Sequence, residues 1–406
     1  MSPPTAIPGL TRRQVVAWRN ALFVIFALAG LSLASWASRI PAVKEALQVS
    51  TSSMGILLFG LAAGSIGGLL ASSHVIARIG ARRTIALVLA IGSVGFAVAG
   101  FGVSIGASYA VVMIGLIVFG SMFSIMDVAM NLQGAVNERA SGRSIMPVFH
   151  AFFSFGTVIG AGLGAGAEAI RLPIVVHLAI VAVFFAGAGI VAVRFLQSEH
   201  IFSGEAVPHD DHSKTWRGRL SIWRDPRTLL IGLVVLGMAF TEGSANDWLA
   251  LAMVEGHGTA KATGALVLGI FVASMTVGRL AGVTLLDRYG RVPVLRGSAV
   301  LAAIGLVMVI FVPVLWISIV GVVFWGLGAS LGFPVGMSAA ADDPKTAAAR
   351  VSAVATIGYF AFLVGPPLIG FLGQRFGLLN ALLVVLVLVA LAGLVSSATR
   401  EPAPRR

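Results

Sequence analysis

Residues 378–397 read LLNALLVVLVLVALAGLVSS, twenty residues without a charge. At about 1.5 Å per residue, a helix of that length crosses the roughly 30 Å hydrocarbon core of a bilayer. A helix on a water-soluble protein buries one apolar stripe and keeps charges on the opposite face. This run offers no charged face, so lipid is its natural solvent.

Working outward, the same signature recurs along the whole chain. It predicts membrane spans at roughly 20–38, 52–74, 84–103, 108–132, 150–168, 173–194, 228–247, 263–283, 297–313, 315–338, 351–372 and 378–397. Composition agrees, with 58% hydrophobic and only 11% charged residues over 406 positions. The expected fold class is an all-α membrane protein of twelve transmembrane helices.

The formal net charge of +12 raises the question of nucleic acid. The basic residues, however, are scattered between apolar spans and form no single patch or tail, which argues against a nucleic-acid partner. Their placement reports topology instead. With both termini cytoplasmic, 23 of the 28 Lys and Arg residues fall on inner segments, leaving Arg39, Lys44, Arg171, Lys261 and Arg375 outside. An odd number of spans would scramble that alternation. The inner membrane is the expected location and the bilayer the expected partner. The first span is expected to be retained, because no small-residue cleavage site follows it.

Cysteine is absent, which excludes disulfides, thiol catalysis and thiolate metal sites. The cluster His209-Asp210-Asp211-His212 superficially suggests a metal, but it stands alone in a polar linker. Neither a metal nor any other cofactor is expected. The polar stretch 195–227 divides the chain into a cytoplasmic segment 1–19, a six-helix half 20–194, the linker itself, a second six-helix half 228–397 and a tail 398–406. Within the linker, RGRLSIWRDPR is suited to the inner leaflet as a basic, Trp-bearing segment.

The halves also echo each other. Ala77-Arg78-Ile79-Gly80-Ala81-Arg82-Arg83 follows the second span as Asp287-Arg288-Tyr289-Gly290-Arg291 follows the eighth, and Arg143 before the fifth corresponds to Arg350 before the eleventh. Related halves with a site at their interface are the architecture of many secondary transporters.

The second of these loops matches the D-R-x-G-R signature of the major facilitator superfamily, which the chain resembles over essentially its whole length. The amino-half copy departs from the signature at Ala77 and Ala81, so a gating ion pair from an Asp is not expected there. Trp36-Ala37-Ser38-Arg39-Ile40-Pro41, Met126-Asp127-Val128-Ala129-Met130-Asn131, Asn246-Asp247-Trp248, and Gly358-Tyr359 with Gly365-Pro366-Pro367 resemble the YbjJ-like, fucose-permease-related branch. The fourth helix lacks the R-x-x-x-x-G proton-coupling pattern and the fifth lacks the Gly-Pro antiporter signature, which argues against a drug/proton exporter. The resemblance implies a two-half carrier working by alternating access, with Arg78, Gly80, Arg82, Asp287, Arg288, Gly290 and Arg291 as the cytoplasmic gating motif. It further implies that the first and fourth helices of each half line a central cavity.

Ionisable groups inside spans cost about 2.5–3.5 kcal/mol at mid-helix and normally face a polar cavity. Asp127 is the strongest proton-coupling candidate; it lies four residues before Asn131, so both project from one helix face. The competing reading pairs it with Arg139 or Arg143. Glu242 and His150 are the other proton candidates, and an interhelical hydrogen bond is the alternative for Glu242. Trp36, Asn131, Asn246, Trp325, Phe333 and Tyr359 are the substrate-contact candidates, since aromatics on cavity helices stack on sugar rings and Trp otherwise anchors at interfaces. Asn246 and Asp247 also read as helix-end or outer-gate groups. Arg279 reads as the partner of an acid across the domain interface or as a snorkelling side chain, and Arg39 as an outer anchor.

The expected function is a proton-coupled secondary transporter, acting as a monomer, for a small organic solute such as a sugar or related polar compound. The nearest rivals are a uniporter or exporter of amphipathic compounds and, from another class, a non-transporting membrane sensor or scaffold. No intramembrane H-E-x-x-H or nucleophile–base set supports an enzyme.

Overall fold

A computed structural model of the chain describes residues 10–142, 145–197, 222–343 and 346–401. Regular structure among the described residues is helical throughout. Among the described residues, twelve helices are long and apolar enough to cross a membrane. In chain order they are α1 (Arg12–Ala37), α2 (Thr51–Ile79), α3 (Ala81–Ser104), α4 (Tyr109–Ser141), α5 (Met146–Ala169) and α6 (Ile174–Val193). Then follow α7 (Pro226–His257), α8 (Lys261–Tyr289), α9 (Arg291–Phe311), α10 (Leu315–Ala340), α11 (Ala347–Phe376) and α12 (Leu378–Thr399). The number and order match the expected spans. Lipid offers no hydrogen-bond partners to a peptide backbone, so an apolar segment satisfies its amides within its own helix.

Several helices outrun the predicted spans. The fourth was expected at 108–132 and continues to Ser141; the seventh was expected to stop at 247 and continues to His257. The prediction measured lipid thickness, whereas a helix of 33 residues is about 50 Å long and projects beyond it. The extra turns of α4 have a use. Glu138 Oε2 accepts the N–H groups of Ile145 (2.6 Å) and Met146 (2.7 Å), so a carboxylate caps the start of α5.

The described residues divide into two compact bodies: those up to Ser50 together with those from Ile56 to the linker, and Thr51–Gly55 together with those after the linker. The same internal arrangement occurs in each. The helix pairs α1/α5 and α3/α4 dominate the packing of the first body, and α7/α11 and α9/α10 that of the second. Between apolar helices in lipid, close approach supplies the packing energy, so small residues mark the contacts. Gly156 faces the Ala27 carbonyl and Gly160 the Leu31 carbonyl across α1/α5, while Gly115 meets the backbone of Gly95 and Ala99 across α3/α4. In the second body Gly328 meets Ala302 and Gly321 meets Gly305 across α9/α10.

The two loop signatures have matching backbones. Gly80 joins α2 to α3 at φ 79° and ψ 151°, and Gly290 joins α8 to α9 at φ 75° and ψ 172°. Each is a single residue ending one helix and starting the next. L-residues reach that φ only with strain, which is why glycine stands there.

The linker cluster His209-Asp210-Asp211-His212, residues 217–221 of the basic segment, and Arg143 lie outside the described residues.

Candidate functional site

In the first body, Asp127 and Asn131 share one face of α4 as their spacing requires. Asn131 Nδ2 donates to Asp127 Oδ1 at 3.1 Å and to the Asp127 carbonyl at 2.8 Å. Asp127 is exposed, and among the described residues no cation pairs with it. Its partner is therefore an amide from its own helix and not Arg139. Such a carboxylate keeps lone pairs free for a proton or a hydroxyl donor. His150 is exposed on α5, its ring nearly perpendicular to that of Phe26 on α1 with the two centroids 5.4 Å apart.

Trp36 does not contact an accessible cavity as expected. It is 1% exposed, packed into the end of α1, because tertiary contacts from neighbouring helices close over it. Arg39 is likewise not a surface anchor. It begins the short helix Ile40–Leu47, its side chain is 3% exposed, and its Nε lies 3.2 Å from Glu168 Oε1 at the end of α5. Arg39 Nη2 donates to the Leu172 carbonyl at 2.8 Å. Burial pushes the guanidinium pKa down, and Glu168 pushes it partly back up. His177 of α6 is buried beside this pair.

In the second body, Glu242 and Arg279 form an ion pair. Arg279 Nη2 reaches Glu242 Oε1 at 3.1 Å and Oε2 at 3.2 Å, and Arg279 Nε points to the Ser330 carbonyl at 3.4 Å. Arg279 thus finds its acid in its own half, where α7 and α8 both belong. A cation and an acid on adjacent helices neutralise each other at lower cost than either alone in lipid. Their side chains keep 35% and 19% exposure, so the pair borders open space.

One turn beyond Glu242, α7 passes through a π-helical turn, Ala245–Leu249, that carries Asn246 and Asp247. These residues are half-buried and well inside the helix, not at the outer terminus as expected, because the apolar run through Met253 extends the helix. A π-turn inserts a residue into the α ladder and re-aims the side chains on it. Here the Ala245 N–H turns to the Glu242 carbonyl, while the Thr241 carbonyl accepts Trp325 Nε1 at 3.2 Å. Trp325 is 0% exposed and stacks edge-on against Phe271 at 5.5 Å. The expected substrate contact is therefore a core residue, bonded to α7 one turn before the π-turn. Phe333 and Tyr359 do come together, with ring centroids 6.4 Å apart on α10 and α11, and Tyr359 is 40% exposed.

The signature loops carry a charge network in one half. Arg291 Nη1 donates to Asp342 Oδ1 at 2.7 Å and Arg291 Nη2 to Ser338 Oγ at 3.0 Å; Arg227 reaches the other Asp342 oxygen at 2.9 Å. Asp225 caps α7 through Thr228 and pairs with Arg350 at 3.1 Å. Among the described residues Asp287 makes no ion pair, and Arg288 lies over the Tyr289 ring at 5.3 Å. In the first half Arg82 donates to the Arg194 carbonyl at 3.3 Å, and Arg78 is exposed. Sequence reasoning did not single out Glu168 or Asp342. The available signal was that a cation buried at a span end needs a nearby acid.

Comparisons with known proteins agree with this architecture. A family model described as Major Facilitator Superfamily matches residues 243–406. An uncharacterized MFS-type transporter of Yersinia pestis is 30% identical over 396 residues, covering 97% of each chain. Among solved structures, a mutant of the nucleoside transporter NupG superposes with a TM-score of 0.76 at 13% identity, covering 96% of this chain and 100% of that one. A variant of the E. coli fucose:proton symporter FucP gives 0.62 at 14% identity, covering 96% and 100%.

Proposed function

The chain belongs to the major facilitator superfamily, and from that premise we propose that it is a proton-coupled secondary transporter of a small polar solute, working by alternating access in the inner membrane with both termini cytoplasmic. Membership makes it a multi-pass membrane transporter; the coupling, the solute class and the orientation are our reading. The observation that carries it is Asp127, an accessible carboxylate inside a membrane-spanning helix, held by Asn131 and by no cation among the described residues. An acid kept inside a membrane span costs several kcal/mol unless what it binds compensates it. A proton neutralises it, and a hydroxyl-bearing solute satisfies its oxygens. The alternation of Lys and Arg along the loops supports the orientation. The two solved neighbours, a nucleoside transporter and a fucose:proton symporter, support a hydroxylated solute.

The test is uptake of labelled hexoses, 6-deoxyhexoses and nucleosides into proteoliposomes under an imposed pH gradient. A coupled carrier accumulates its solute above equilibrium, and Asp127→Asn equilibrates the solute without accumulating it. Accumulation undiminished in Asp127→Asn would remove the coupling role.

A further inference from the structure

We propose that the Glu242–Arg279 pair is a net-neutral recognition subsite that selects uncharged, polyhydroxylated ring solutes over their cationic or anionic counterparts; this rests on the transporter reading above and names its solute class. The pair is built from three helices of one body. Arg279 Nη2 contacts both carboxylate oxygens of Glu242, and Nε is aimed at the Ser330 carbonyl. Arg279 Nη1 has no hydrogen-bond partner among the described residues, and 35% of the Arg279 side chain is exposed. Glu242 retains lone pairs beyond the two that Arg279 uses.

Donor and acceptor thus stand side by side. A pair of neighbouring hydroxyls matches them, one donating to Glu242 while the other accepts from Arg279, and both bonds are charge-assisted. A charged solute fares worse. An ammonium would compete with Arg279 for Glu242 and leave a repelled guanidinium beside it; a carboxylate would do the reverse. Asn246, one turn beyond Glu242 on the π-turn, adds a donor and an acceptor to the same stretch of α7. Phe333, three residues after Ser330, and Tyr359 supply an aromatic pair in the same body, suited to the C–H faces of a ring.

The experiment measures ligand-induced thermal stabilisation of the full chain in nanodiscs, with hexoses, 6-deoxyhexoses, inositols and nucleosides set against matched amino sugars and uronic acids. The wild type is expected to respond to neutral members at concentrations about tenfold or more below those needed for charged counterparts, the worth of one charge-assisted bond. Glu242→Gln leaves Arg279 unpaired and should shift preference toward uronic acids; Arg279→Gln should shift it toward amino sugars. The swap Glu242→Arg with Arg279→Glu tests the pair where a single variant fails to fold, and should restore the neutral preference.

A wild type that prefers a charged member, responds to no member, or keeps its charge preference in both single variants overturns the proposal. The two readings fail separately. A charged solute accumulated under a pH gradient would leave proton-coupled transport standing and remove the subsite. Neutral selectivity without pH-driven accumulation would do the opposite.

Discussion

Replacing Arg39 by Met isolates what a buried ion pair contributes to the first body. Arg39 and Glu168 have side chains 3% and 11% exposed, 3.2 Å apart, so the deletion strands a carboxylate out of water and also removes the donor to the Leu172 carbonyl at 2.8 Å. Breaking a buried pair in this way costs about 3–5 kcal/mol. An exposed pair would cost at most about 1 kcal/mol. Replacing a buried ion pair by apolar residues of similar volume is often neutral or stabilising, because both charges escape desolvation. Arg39→Met with Glu168→Leu should therefore recover most of the loss. Unfolding followed by the fluorescence of the seven tryptophans gives the comparison. A single variant losing less than about 1 kcal/mol, or a double variant as unstable as the single, would refute the reasoning.

Two further outcomes follow from local geometry. Gly156→Ala should disrupt the α1/α5 crossing and cost folded protein on size-exclusion chromatography, since its methyl would collide with the Ala27 carbonyl, whereas Gly162→Ala, with nothing within 4 Å, should be silent. Asp225 has a pKa lowered chiefly by the Thr228 hydroxyl, against opposing desolvation, with further lowering from the Thr228 amide and Arg350. Because its folded pKa lies below the unfolded value of about 3.9, its stabilisation is present above that pH and is lost as pH falls through the folded pKa. Thermal unfolding of wild type and Asp225→Asn should therefore differ at neutral pH and converge on acidification.

The membrane architecture was legible because lipid imposes one rule on every span, and a run such as 378–397 has no other solvent. The helix ends were less so: beyond the hydrocarbon, α4 and α7 continue for reasons local to them, the Glu138 cap and the apolar turns through Met253. Asp127 with Asn131 could be read from i, i+4 spacing alone. Burial of Trp36 and Trp325 could not, because it depends on helices distant in sequence closing over them. The Glu242–Arg279 pair was half visible. Each residue stood out as a charge in a span, but joining positions 37 apart required knowing that α7 and α8 meet.

The central claim is tested most directly by proton movement itself. Proteoliposomes loaded with a pH-sensitive dye receive the neutral hexose, 6-deoxyhexose or nucleoside that stabilises the protein, with no gradient imposed. The account predicts that solute entry acidifies the lumen with wild-type protein and not with Asp127→Asn, which still exchanges labelled solute. Solute entry without acidification in the wild type, or equal acidification in the variant, would contradict it.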